Sequence, residues 1–130
     1  MTPKQILSIF KNFAVIGVTE DQDKYGYRIY KKLKDCGYHT FGISHKYNEV
    51  DGDIMYKSLE DIPSPIDVVV FVVNPKYSQN YIGQMRSIGI RYAWMQPGTY
   101  NEETLEAMKE LGITPIIDCV LRQLDKKDQI

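Results

Sequence analysis

The chain has 130 residues, 43% hydrophobic and 25% charged, with a net charge of −1. Those values fit one globular domain with a real core and argue against intrinsic disorder and general nucleic-acid binding. No apolar run reaches the length of a membrane span, and two cysteines without C-x-x-C spacing argue against a disulfide scaffold or a zinc site.

Thr2 can cap a short helix from Pro3 to about Lys11, with Ile6, Leu7 and Phe10 on one face. The opening MTPKQILSIFKN lacks the basic end, apolar core and small-residue cleavage site of an export signal, so a reducing cytoplasm is expected. Phe13 to Val18 is apolar apart from Gly17, the pattern of a strand buried on both faces of a parallel sheet. After a polar loop, a helix is expected from about Tyr25 to Cys36, with Ile29 and Leu33 as its apolar stripe and Gly37 beyond its end. Strand, loop and helix N-terminus in this order gather free N–H groups and the positive end of a helix dipole, which suits an anion. Gly17 and Gly26 let a ligand or the helix approach the strand end. A Gly26→Glu change is expected to remove binding with little loss of fold. Neither G-x-G-x-x-G nor G-x-x-x-x-G-K-[ST] is present, because Gly17 is followed by Val18, Thr19 and Glu20, and the next glycine is Gly26.

Tyr38 to Ile43 reads as the second strand, and Asn48 to Asp53 as a polar loop. Ser58 can cap a short turn through Ile62, ended by Pro63 and Pro65. Val68 to Val73, VVVFVV, is the third strand and belongs at the centre of a parallel sheet. Asn74 caps and Pro75 starts a helix to Ile88, closed by Gly89. A fourth strand, Arg91 to Met95, ends in Gln96-Pro97-Gly98. Asn101 caps a helix to Leu111 with Glu102 and Glu103 in its first turn. A fifth strand, Thr114 to Ile117, leads to Asp118 and Cys119, a last turn over Val120 to Leu124, and a frayed tail, DKKDQI. This β-α repetition implies an α/β fold with three layers: a five-stranded parallel sheet in the order 3-2-1-4-5, helices on both faces, and a switch point between strands 1 and 4.

A ligand in such a fold sits beyond the strands' carboxyl ends. Placed there are Gly17-Val18-Thr19, Ser44-His45-Lys46, Asn74, Gln96-Pro97-Gly98 and Cys119, joined by Lys24, Tyr25 and Gly26. An NAD site usually carries an acid at the end of the second strand. A hydroxyl, an imidazole and a cation there favour a ribose that bears a phosphate, as in NADP or coenzyme A. Lys24 and Arg28 are candidates to neutralise a diphosphate, provided Glu20, Asp21 and Asp23 point outward. Plainer readings stand beside these: Gln96-Pro97-Gly98 as a turn, Asn74 as a helix cap, Cys119 as a packed thiol. There is no G-x-S-x-G elbow, and His39 and His45 have no visible partner. Strand 3 ends in Asn74 rather than a phosphorylatable acid. Catalysis is therefore not expected.

Five segments in their order and spacing, AVIGVTEDQDKYGYRI, GYHTFGISHKY, YKSLEDIPSPIDVVVFVV, YAWMQPGTYNEET and ITPIIDCV, resemble the small stand-alone coenzyme A-binding proteins with a Rossmann-like fold. These are similar to the N-terminal nucleotide-binding domain of the succinyl-CoA synthetase α subunit. The resemblance covers Phe13 to Leu121. It implies a single Rossmann-like coenzyme A-binding domain over residues 1–130. It also implies ligand roles for Gly17, Val18, Thr19, Lys24, Tyr25, Gly26, Ser44, His45, Lys46, Asn74, Gln96, Pro97, Gly98 and Cys119. Where that family usually ends the second strand in Asn-Pro, this chain has Ser44-His45. The larger synthetases add a second domain with a phosphorylated histidine, so ligase activity is not carried over. The function implied is non-catalytic binding of coenzyme A or an acyl-CoA, with no nucleic-acid or membrane partner and self-association left open. The alternatives are an NAD(P)-binding oxidoreductase or nicotinamide redox sensor, and a structural subunit with a vestigial pocket. A hydride-transfer enzyme normally needs a substrate domain and an acid/base pair, for which this length leaves no room.

Overall fold

The computed structural model describes residues 1–128, with side chains to residue 125. Its helices are α1 (Pro3–Ile9), α2 (Tyr25–Asp35), α3 (Pro75–Ile88), α4 (Glu102–Glu110) and α5 (Val120–Asp128). Its strands are β1 (Asn12–Ile16), β2 (His39–Ile43), β3 (Glu49–Val50), β4 (Asp53–Tyr56), β5 (Val68–Phe71), β6 (Tyr92–Met95) and β7 (Thr114–Ile117), with a 3-10 turn at Leu59–Asp61.

Alternation along the central strands sorts the core into two halves. Phe13 and Val15 enter one, around the fully buried Trp94, against Ile6 and Leu7 of α1, Ile29 and Leu33 of α2, and Val120 and Leu124 of α5. Ala14 and Ile16 enter the other, with Phe71 and Met95, against Ile82 and Met85 of α3 and Met108 of α4. The sheet is thus covered on both faces, which is why β5 can be buried at every residue.

The sheet order is β3-β4-β2-β1-β5-β6-β7, and every pairing is parallel except β3 with β4. This corrects the expected five strands in the order 3-2-1-4-5. The Val68 run lies beside β1, not outside the second strand. The place outside β2 belongs to β4, whose Met55 and Tyr56 pair with Gly42 and Ile43. Gly42 makes room for it: a Cβ there would lie 2.5 Å from Met55 Sδ. With β4 counted third, the six parallel strands follow the order 3-2-1-4-5-6, and the switch point falls between β1 and β5. The expected frayed tail is also corrected, since α5 continues to Asp128; residues 129 and 130 of that tail lie outside the described residues.

Thr2, Asn74 and Asn101 each accept a first-turn N–H with a side-chain oxygen. α2 differs. Its N-cap, Lys24, makes no side-chain cap, and like α1 and α3 it has no acidic residue in its first turn.

Candidate functional site

At the switch point the first turn of α2 rests on the end of β1. Gly17 adopts φ +106°, and a Cβ on it would lie 2.4 Å from the Val72 carbonyl oxygen. A Cβ on Gly26 would lie 2.0 Å from the Gly17 carbonyl oxygen. These glycines let backbone pack on backbone, so the expectation that Gly26→Glu would spare the fold is corrected. The intervening loop is wound by its own groups. Thr19 Oγ1 accepts the Asp21 N–H at 3.2 Å, Asp21 Oδ1 accepts the Asp23 N–H at 3.1 Å, and the Asp21 carbonyl accepts the Lys24 N–H at 3.1 Å.

A cleft of about 710 Å³ opens here. Gly17, Val18, Thr19, Lys24, Tyr25 and Gly26 line one side, and Ser44, His45 and Lys46 the other. Asp21 and Asp23 line it too, against the expectation that the loop acids turn outward; Glu20 does not. Arg28 is not a lining residue, and its guanidinium lies 5.2 Å from the Tyr25 ring centroid. Buried Ser44 shapes the turn after β2, its Oγ accepting the Lys46 N–H at 3.3 Å and the Tyr47 N–H at 3.0 Å. Lys57 Nζ donates to the Ser44 carbonyl at 2.8 Å from the far side. That turn leaves His45 and Lys46 exposed, with the His45 ring stacked on Tyr77 of α3 at 5.7 Å between centroids and 18° between planes.

A second cleft of about 400 Å³ adjoins the first and shares Tyr25, Val72 and Val73 with it. Asn74, Gln96, Pro97, Gly98 and Cys119 line it. Gln96 to Thr99 is a β-turn closed by the Thr99 N–H on the Gln96 carbonyl at 3.1 Å, with Pro97 second and Gly98 third at φ +87°, the type II pattern. Ser78 Oγ, donating to the Thr99 carbonyl at 3.0 Å, pins that turn to α3. The Gln96 side chain is buried, and its Oε1 accepts the Val120 N–H at 2.6 Å, which caps α5. Asn74 Oδ1 likewise accepts the Lys76 N–H at 3.2 Å. Cys119 is half-buried, and Trp94 Nε1 fixes the approach to it by donating to the Asp118 carbonyl at 2.9 Å.

Every residue to which the resemblance gave a ligand role therefore lines one of two adjoining clefts, whereas Arg28 lines neither. They are not equivalent. Ser44, Asn74 and Gln96 already spend a side-chain oxygen on backbone N–H groups, whereas Lys24, His45 and Lys46 are exposed around the first cleft. Sequence reasoning passed over Arg122 and Tyr47, which line the second and first clefts. The available signal for Arg122 was a cation three positions after Cys119 in the first turn of a helix.

A mainly parallel sheet covered on both faces, with its clefts at the strands' carboxyl ends, defines a Rossmann-like α/β domain. The chain belongs to the CoA binding domain family, whose sequence profile matches residues 11–125. It is 28% identical over 119 residues to the uncharacterized protein YneT of Bacillus subtilis (strain 168), covering 92% of this chain and 88% of that one. It is homologous to part of the α subunit of ADP-forming acetate–CoA ligase II of Pyrococcus furiosus, at 28% identity over 101 residues, 77% of this chain but 22% of the subunit. Among solved structures, a hypothetical protein from Pyrococcus horikoshii OT3 superposes with a TM-score of 0.89 at 31% identity, covering 95% of this chain and 87% of that one. Among the described residues, no helix is long and apolar enough to cross a membrane, and no three His, Cys, Asp or Glu side chains are grouped to hold a metal ion.

Proposed function

We propose that this domain is a cytoplasmic binding module that holds coenzyme A or an acyl-CoA without transforming it. The diphosphate sits at the N-terminus of α2, and the pantetheine arm runs over the second cleft toward Cys119. The observation that carries this reading is the first turn of α2. It is the one among α1 to α4 that lacks a side-chain cap, and it borders the larger cleft at the switch point. A helix end of that kind favours an anion through its free N–H groups and its dipole. Lys24 and Lys46, on opposite sides of the same cleft, offset the Asp21 and Asp23 carboxylates that also line it, which leaves the attraction for an anion to the helix end itself. At the end of β2, Ser44, His45 and Lys46 present no carboxylate to ribose hydroxyls, which favours a phosphate-bearing ribose over NAD.

Thermal unfolding with added ligand tests this. Coenzyme A at a hundred times its Kd should stabilise the fold by about 2.7 kcal/mol. For a domain of this size that is a rise in Tm of about 10 °C. Dephospho-CoA should give a smaller rise and NAD none. A larger shift with NAD or NADP than with coenzyme A would move the site to the nicotinamide class. Equal shifts with coenzyme A and dephospho-CoA would show that the 3′-phosphate is not read.

A further inference from the structure

The second cleft holds a cation that the coenzyme A reading does not use. Among the described residues, Arg122 is the only charged one lining it. The Cys119 carbonyl accepts the Gln123 N–H at 3.2 Å, so Cys119 is the N-cap of α5 and Arg122 stands at N3. N-cap and N3 side chains share one side of a helix end, the relation that the capping box exploits. It is a poor place for a cation, because the positive end of the helix dipole lies there. Among the described residues no carboxylate makes an ion pair with it. Asp118, four positions earlier, directs one oxygen to the Cys119 N–H at 2.6 Å and the other to Gln123 Nε2 at 2.8 Å. Asp125, one turn later, pairs with Lys32 at 3.5 Å. The Gln96 oxygen nearby is taken by the Val120 N–H. A guanidinium disfavoured by its own helix, without a carboxylate partner among the described residues, is matched to a carboxylate that a ligand brings. It can hold one through two parallel hydrogen bonds.

We propose that Arg122 selects acyl-CoA thioesters whose acyl group ends in a carboxylate. This rests on the coenzyme A reading, since the ligand's sulfur must come to Cys119. Half-buried Cys119 and exposed Arg122 line the same cleft one helical turn apart, so an acyl group carried on a sulfur brought to Cys119 extends within reach of the cation. The phosphates of coenzyme A are the other anion that could reach Arg122, and the two sources make different predictions.

The test is titration of the full chain at low salt with two pairs of thioesters matched in chain length, malonyl-CoA against propionyl-CoA and succinyl-CoA against butyryl-CoA. In at least one pair the carboxylated member should bind about tenfold or more tighter, the range of a charge-assisted hydrogen bond. Arg122→Gln should bring that ratio to about one, and Arg122→Lys should keep part of it. No preference in either pair overturns the proposal. So does an Arg122→Gln protein that weakens all thioesters in parallel and leaves the ratio intact, because Arg122 would then be reading the phosphates. Binding of free coenzyme A separates the two levels. If coenzyme A binds and the pairs do not differ, only this inference falls; if no form binds, the coenzyme A reading falls with it. Far-ultraviolet circular dichroism of each variant confirms that the fold is intact.

Discussion

Gly26 and Gly17 meet at the point where a helix, a strand end and the larger cleft converge, and their missing side chains make the meeting possible. A methyl group on Gly26 would sit 2.0 Å from a backbone oxygen, which cannot move without moving β1. Gly26→Ala should therefore cost about 2–4 kcal/mol, read as a lowered urea midpoint at unchanged slope. Gly83 provides the contrast. It lies inside α3 with nothing within 4 Å of a built Cβ. Gly83→Ala should stabilise by about 0.5–1 kcal/mol, because alanine gives up less backbone freedom on folding. Equal midpoints for the two variants would remove the close-packing account of Gly26. The same distinction explains what could be read of the site beforehand. Which residues fall at strand ends follows from local pattern, so Gly17, Ser44, Gln96 and Cys119 were findable. Whether a polar group is free depends on partners far along the chain: the oxygen of Gln96 is taken by an N–H 24 residues later. No spacing rule signals that.

Three side chains of α2 tie it to the β3–β4 hairpin. Tyr27 Oη donates to Asp51 Oδ2 at 2.7 Å, Tyr30 Oη donates to Asp53 Oδ2 at 2.8 Å, and Lys34 Nζ pairs with the same Asp53 oxygen. Partial burial works against the Asp53 carboxylate, but the hydrogen bonds from Lys34 and Tyr30 and the Lys34 charge outweigh it, and its pKa falls below 3.8. A pKa lowered in the folded state means stability that is fully present above the unfolded value and lost as pH falls through the folded one. Asp53→Asn should therefore be less stable than the parent above about pH 4, and the gap should close on further acidification. Urea midpoints between pH 2.5 and 7 measure this, and a gap independent of pH would exclude the ionised carboxylate as its source. This tie also shows why β4 escaped the sequence. Asp53 is committed to α2, Ile54 is 67% exposed, and β4 matches β2 through only two register pairs, so no apolar alternation marks it. β1 and β5 were legible because burial on both faces demands unbroken apolar runs, and α3 and α4 because Asn74 and Asn101 announce their starts. Sheet order was not legible, because the strand that fills the place beside β2 carries almost none of that pattern.

Across the whole molecule, the two clefts form one path along the carboxyl edge of the sheet, from the turn after β2 to the start of α5, joined where both touch Tyr25, Val72 and Val73. A ligand lying along it with its diphosphate at α2 brings its thiol end to the α5 end, where Cys119 is a thiol. The other thiol, Cys36, is the C-cap of α2. The 11 residues of that helix set it about 16 Å from the cleft. Coenzyme A disulfide can therefore serve as a ruler. Cys119 thiolate attacks one sulfur of the reagent; a Cys119–CoA disulfide forms, the reagent's S–S bond breaks, and the second coenzyme A leaves as a thiolate that takes up a proton. Because the binding site delivers the reagent, the rate should saturate with its concentration and should exceed the rate with a small disulfide such as hydroxyethyl disulfide. Intact mass under non-reducing conditions should show one coenzyme A adduct, reversed by dithiothreitol, absent in Cys119→Ser and retained in Cys36→Ser. Acetyl-CoA, which carries no free thiol to reverse the exchange, should slow its formation by competing for the site. An adduct on Cys36, or a rate that rises linearly and ignores added acetyl-CoA, would mean that no ligand runs from α2 to α5.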